Sequence, residues 1–161
     1  METRTRTRTR TRTIGTVLLA ASVAACGDQA RAPAAPATPA TPLYDRLGRK
    51  DAIALMVKDF VEQRVARDTR ISSLFASADL PGLEIKLVEQ ICEATGGPCK
   101  YTGLYKDMKT AHAGMAIKDA DFTALVDDLQ ASLDQLHVGA AEQHELLAAL
   151  GKMHDDIVTA K

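Results

Sequence analysis

From Leu43 onward the apolar residues return every three to four positions, and no stretch alternates with the period of two that a half-buried strand requires. The fold class that follows is all-α. "LYDRLG" makes a short opening helix stopped at Gly48, and the next helix carries Ile53, Met56, Val57, Phe60, Val61 and Val65 on one face. "DTRISSLF" supplies one more turn or two. A further helix starts near Asp79, a plausible N-cap with Pro81 in its first turn, and shows Leu80, Leu83, Leu87, Val88 and Ile91 before "GGP" breaks it. The loop to Tyr105 is glycine-rich and irregular. After His112 a long helix with Phe122, Leu125, Val126, Leu129, Leu133 and Leu136 leads through Gly139 to a last one with Leu146, Leu147, Leu150, Met153 and Ile157.

Helices of this length can pack as a simple bundle. Yet the chain has three phenylalanines, three tyrosines and no tryptophan, so its core is short of bulky side chains. A large apolar cofactor would supply the missing volume. The stretch "MKTAHAGMAI", Met108 to Ile117, points the same way, because Ala111, Ala113 and Gly114 leave room for something large to approach His112. A neutral imidazole is a metal-binding ring, and its other nitrogen then needs a carbonyl or similar acceptor. His137, His144 and His154 sit among charged or polar neighbours and read as solvated surface residues.

The N-terminal quarter has a different character. "METRTRTRTRTRT" is a basic low-complexity run, and the apolar "IGTVLLAASVAA" follows at once, which is the layout of a secretory signal over residues 1–25. The apolar segment is well short of the roughly 20 residues a membrane-crossing helix needs. "VAAC" resembles the bacterial lipobox, which implies cleavage before Cys26 and a lipid on its sulfur. Residues 26–42 then form the anchor cysteine and an Ala/Pro-rich tether, and residues 43–161 the folded domain. Gly27 after the cysteine resembles the outer-membrane sorting class, for a Gram-negative source. The expected location is the cell envelope, on the periplasmic side, with membrane contact through the lipid anchor only.

Removing residues 1–25 takes away five arginines and one glutamate, leaving 15 basic and 20 acidic side chains and a net charge of −5. An acidic domain without a basic stripe is a poor nucleic-acid binder. Cys92 and Cys99 remain as a pair, with two glycines between them after a helix end. Closure to a disulfide is geometrically easy, a zinc site would need two more ligands that no nearby spacing supplies, and free thiols are the alternative.

"LYDRLG", "DF" at Asp59 and Phe60, "ISSLF", "TGGPCKYTG" and "MKTAHAGMAI", in this order and spacing, resemble the group 1 truncated haemoglobins from Leu43 to about Val158. The resemblance implies a two-over-two helical sandwich around haem b. It makes His112 the proximal iron ligand, Phe75 the phenylalanine that stacks on the porphyrin and Met108 a proximal contact, with Leu83, Leu87 and Lys86 also on the haem-binding helix. The distal side departs from the family pattern. Val61 stands where the distal tyrosine belongs and Leu87 where the distal glutamine belongs, so Gln90 is the nearest polar substitute in the distal pocket. "VEQRVARDTR" is one residue longer than usual, and "YTGLYKDMK" two, which bears on how Tyr105 and Lys106 lie beside the haem. Lys86 matches a position from which some relatives coordinate iron; a propionate salt bridge or a solvated side chain is the alternative.

The function implied is binding of a diatomic gas (oxygen, nitric oxide or carbon monoxide) for carriage, sensing or nitric oxide oxidation served by a reductase. Any enzymatic role is at most dioxygenase-like or peroxidase-like. Two alternatives are an envelope redox haem protein closed by an internal sixth ligand and a haem-free helical lipoprotein that binds another protein. No Ser/His/Asp arrangement, paired-carboxylate constellation or phosphate-cradling glycine loop argues for a hydrolase or kinase. With Val61 and Leu87 lining the site, oxygen release is expected to be fast unless Gln90 turns inward.

Overall fold

A computed structural model describes residues 41–105 and 107–160, so the expected signal sequence of residues 1–25, Cys26, all but the last two residues of the expected tether, Lys106 and Lys161 lie outside the described residues. Helix α1 is Leu43–Arg46 and α2 is Arg49–Lys58, which runs without a break into a π-helical segment, Asp59–Val65. A 3₁₀ turn, Ser72–Phe75, precedes α3, Leu80–Ala94. The short α4 is Met108–Ala111, followed by α5, Asp119–Gln135, α6, Ala140–Gly151, and α7, His154–Ile157. No strand occurs among the described residues.

The corner between α1 and α2 needs its glycine. Gly48 has φ 86°, and a Cβ there would lie 2.8 Å from that of Ala52. Beyond the corner the periodic face of α2 does what its spacing implies: Ile53, Met56, Val57, Phe60, Val61 and Val65 are all buried. They form the main core with Val88 of α3, Leu129 and Leu133 of α5, and Leu146 of α6. The π segment is wound with a bond from the Ala66 N–H to the Val61 carbonyl at 3.0 Å, one residue longer than an α-helical bond. A π turn is how a helix takes in an extra residue, and this one overlaps the stretch "VEQRVARDTR" that the resemblance reads as one residue long.

A smaller cluster of Ile117, Phe122 and Ile157, with Met108 and Met153 against it, joins α4, α7 and the start of α5. The chain end clasps it: the Thr159 and Ala160 N–H groups donate to the Ile117 carbonyl, and the Ile117 N–H donates to Thr159 Oγ1 at 3.1 Å. The segment that follows His112 is thereby fixed at its far end.

Two expectations are corrected. Leu136 is 41% exposed and caps α5 instead of continuing its apolar face. The last helix ends at Gly151, a poor helix former, and Lys152 and Met153 separate it from α7, so Ile157 lies on a separate element. On α5, Asp128 Oδ2 and Ser132 Oγ are buried without a hydrogen-bond partner among the described residues. Burial, reinforced by Asp68, pushes the Asp128 carboxyl above its ordinary range, against the opposing pull of Arg70.

Candidate functional site

His112 caps the C-terminus of the one-turn helix α4. The turn is started by Asp107, whose carboxylate accepts the Thr110 N–H at 2.7 Å and is held below its usual range by that bond. At the other end, the Met108 carbonyl meets His112 twice: the backbone N–H at 3.0 Å and ring Nδ1 at 2.8 Å. A carbonyl only accepts, so Nδ1 is the donor, and in the neutral ring Nε2 then keeps its lone pair. This is the orientation a metal-binding imidazole requires. Ala113 and Gly114 are exposed, and a Cβ built on Gly114 would meet nothing within 4 Å. Gly114 is needed for its φ of 80°, which turns the chain after the histidine, while the open space beside it is real.

Inward from α4 lies an apolar cavity of about 90 Å³, with Phe60, Leu87, Gln90, Leu129, Leu150 and Met153 in its wall. Its connection to His112 runs through Gln90, whose Nε2 is 3.5 Å from Met108 Sδ and 3.4 Å from Met153 Sδ. Gln90 is half-buried and faces this cavity. Among the other sequence-selected residues, Leu87 is in the cavity wall, and Phe75 is half-buried against the main core. Leu83 and Lys86 are half-buried on α3. Val61 is completely buried in the main core, and the residue its segment gives to the cavity is Phe60.

The far end of α3 grips the loop that follows. Cys92 and Cys99 form a disulfide with a Cα–Cα distance of 5.7 Å. Glu93 accepts the Tyr101 N–H at 2.9 Å and Lys100 Nζ at 3.0 Å. Glu89 accepts both the N–H and the hydroxyl of Thr102, at 2.9 and 2.8 Å, and these bonds hold its carboxyl below the usual range. Lys86 Nζ lies 2.5 Å from Thr102 Oγ1 and 3.4 Å from Glu89 Oε2. Among the described residues no cluster of three or more His, Cys, Asp or Glu is placed to hold a metal ion.

Residues 42–159 match the model of the bacterial-like globins. The chain belongs to the bacterial-like globin family. The globin domain is 28% identical over 116 residues to a group 1 truncated hemoglobin of Tetrahymena pyriformis, covering 72% of this chain and 93% of the relative. It is also 28% identical over 116 residues to the group 1 truncated hemoglobin GlbN of a Nostoc strain, covering 72% of this chain and 96% of the relative. Among solved structures, the ferric Tetrahymena pyriformis truncated hemoglobin superposes with a TM-score of 0.69 at 27% identity, covering 73% of this chain and 98% of that one. The group II truncated hemoglobin of Bacillus anthracis shares the fold at 18% identity, with a TM-score of 0.68 and coverage of 76% of this chain and 95% of that one. The all-α fold of these globins is the one expected here, with α2 and its π extension on α3 as one helix pair and α5 on α6 as the other.

The globin's remaining histidines are arranged differently from His112. His137 and His144 are exposed, as their polar surroundings suggested. His154 departs from that reading: it is half-buried, meets the Phe122 ring edge-on at 4.9 Å, and has Asp155 and Asp119 each 2.9 Å from a ring nitrogen. Those carboxylates, Asp155 foremost, raise its pKa. Sequence reasoning also left Phe60, Met153 and Glu89 out of the site. Glu89 was signalled by its place one turn after Lys86, a spacing that brings opposite charges together on a helix.

Proposed function

We propose that this globin binds haem b through His112 Nε2 and takes up a diatomic gas on the opposite side of the iron. The observation that carries the reading is the Met108 carbonyl bond to His112 Nδ1, which fixes tautomer and ring orientation. The shape of the surroundings fits a large apolar guest. Leu74, Ile85, Leu104, Tyr105 and Met115 are large, exposed apolar side chains on the segments that carry Phe75, Lys86 and His112. When bound, the haem supplies an iron whose sixth position accepts oxygen, nitric oxide or carbon monoxide. The chain supplies apolar contacts from Phe75, Met108, Leu83 and Leu87, and one interior donor, the Gln90 amide. A thioether is a weak acceptor, so Gln90 can leave Met108 and Met153 for a more polar partner at little cost.

We further propose that the mature protein is exported and lipid-anchored through Cys26, with membrane contact through that lipid alone. The Cys92–Cys99 bridge supports an oxidising compartment, where such bonds persist. Nitric oxide oxidation would draw electrons from a separate reductase, whereas oxygen carriage would need one only to restore ferrous iron.

The test is the optical spectrum of the purified protein in its ferric, ferrous and carbon monoxide forms, beside His112→Ala. A Soret band in wild type and its loss or change of ferrous form in the variant, with recovery on adding imidazole, are expected. A variant that keeps the wild-type ferrous spectrum overturns the ligand assignment, and a wild type that takes up no haem supports the haem-free alternative.

A further inference from the structure

Lys86 sits immediately before Leu87 on α3, and Leu87 is in the cavity wall. Successive residues on a helix point about 100° apart, so the long Lys86 stem has a choice between the cavity side and the outer edge. The structure shows the outer edge taken. Thr102 relays the interaction, its hydroxyl accepting from Lys86 Nζ at 2.5 Å and donating to Glu89 Oε2 at 2.8 Å, while the Thr102 N–H also donates to Glu89 Oε2 at 2.9 Å. Thr102 is available for this because its loop is tied down by the Cys92–Cys99 bridge and by the Tyr101 N–H on Glu93. A chain of contacts therefore leads from the disulfide, through the loop, to the amine of Lys86.

We infer that Glu89 is a positioning residue: with Thr102 it holds the Lys86 amine at the outer edge of α3, away from the cavity, and so keeps the position opposite His112 open to an external ligand. An amine nitrogen is a competent iron ligand only when it is neutral and free to approach. The inference rests on the haem-binding reading for its consequence but not for the hold itself. Glu89 has a second role that a simple surface ion pair lacks, since it also receives the loop backbone. Its removal frees Lys86 at both contacts.

The experiment uses the full-length protein, Glu89→Gln, Lys86→Met and the double variant, with thermal melts to confirm that each is folded. The first readout needs no haem: the rate at which an N-hydroxysuccinimide ester acylates Lys86, followed by peptide mass spectrometry. Glu89→Gln should raise that rate several-fold, and so should reduction of the bridge with dithiothreitol, which exchanges the disulfide for two protein thiols and a cyclic oxidised reagent. The second readout is the ferrous spectrum of the haem-loaded protein without added ligand. Glu89→Gln should gain a low-spin component at least several-fold larger than wild type, and Lys86→Met in the same background should remove it. An unchanged acylation rate overturns the hold, and an unchanged rate after reduction overturns its link to the bridge. A wild-type spectrum in Glu89→Gln at full haem loading, or a low-spin component that survives Lys86→Met, overturns the consequence for the iron. Failure of haem loading in wild type strikes the haem-binding reading, and the acylation rates then still decide the hold.

Discussion

Opening the Cys92–Cys99 bridge has a stability cost that follows from chain statistics. The two cysteines are seven residues apart. Confining a loop of that length in the unfolded chain removes about 8 cal/mol/K of entropy, or roughly 2.5 kcal/mol at 25 °C. The loop's polar contacts with Glu89 and Glu93 exist only in the folded state, so they add to folding without replacing this term. Globular domains unfold with about 2.1 cal/mol/K of entropy per residue, or roughly 250 cal/mol/K for a domain of about 120 residues, so the loss is worth about 10 °C in Tm. Melting the wild type with and without dithiothreitol measures the effect directly. Comparing oxidation states of one sequence avoids the small cavity that Cys92→Ala would leave at a completely buried site. A shift under about 3 °C, with full reduction verified by alkylation, would show that the loop is already confined in the unfolded chain and that the entropy argument fails here.

Four further outcomes are expected. Asp128 has its folded pKa raised by burial, so the native state binds this proton more tightly: its contribution is full at acid pH and is lost as pH rises through the raised value. Asp128→Asn should therefore flatten the pH dependence of chemical denaturation and gain on the order of 1 kcal/mol near pH 7; an unchanged slope sinks the assignment. His154, raised by Asp155 and Asp119, contributes most below the ordinary histidine value and progressively less as pH rises through its raised one, so NMR titration should find it above the ordinary histidine value and Asp119→Asn should lower it. Gln90→Leu should speed oxygen release by one to two decades in stopped flow, the equivalent of a 1.5–3 kcal/mol hydrogen bond to a partly charged acceptor, while carbon monoxide release changes little; equal effects on both gases refute a donor role. Cys26→Ser should release the protein from the membrane fraction or stall its processing, and unchanged association counts against the lipid anchor.

The helices were legible because burial here follows period. All six residues read as the buried face of α2 and its extension are buried, and the Asp79 and Pro81 signals mark the start of α3. His112 stood out because small neighbours surround it. What the sequence concealed lies where local rules are silent. Periodicity carries no information on whether a helix winds with α or π bonds, so it could not say that Phe60 reaches the cavity while Val61 is buried in the main core. Nor could it predict that α6 stops after Gly151, because a single glycine near a helix end is as compatible with continuing as with stopping. His154 read as solvent-exposed from its neighbours in the chain, yet its partner Asp119 is 35 residues away and reaches it only through the packing of α7 on α5.

If the cavity receives the gas as proposed, the π segment and the position of Gln90 together define what it can distinguish. With Val61 buried in the main core and Phe60 in the wall, the α2 side of the cavity offers no hydrogen-bond donor. Leu87 offers none from α3, and Lys86 on the same helix is engaged by Glu89 and Thr102 outside. The remaining interior donor among these residues is a neutral amide resting against two sulfurs, in a wall that is otherwise apolar. A space of about 90 Å³, equivalent to roughly three water molecules at about 30 Å³ each, does not sort small gases by size. It sorts them by polarity. On the proposed haem-binding reading, a ligand that gains negative charge on binding would draw the amide away from thioethers that hold it weakly, and a ligand that stays nearly neutral would leave it there, so selectivity would turn on one side chain that carries no charge of its own.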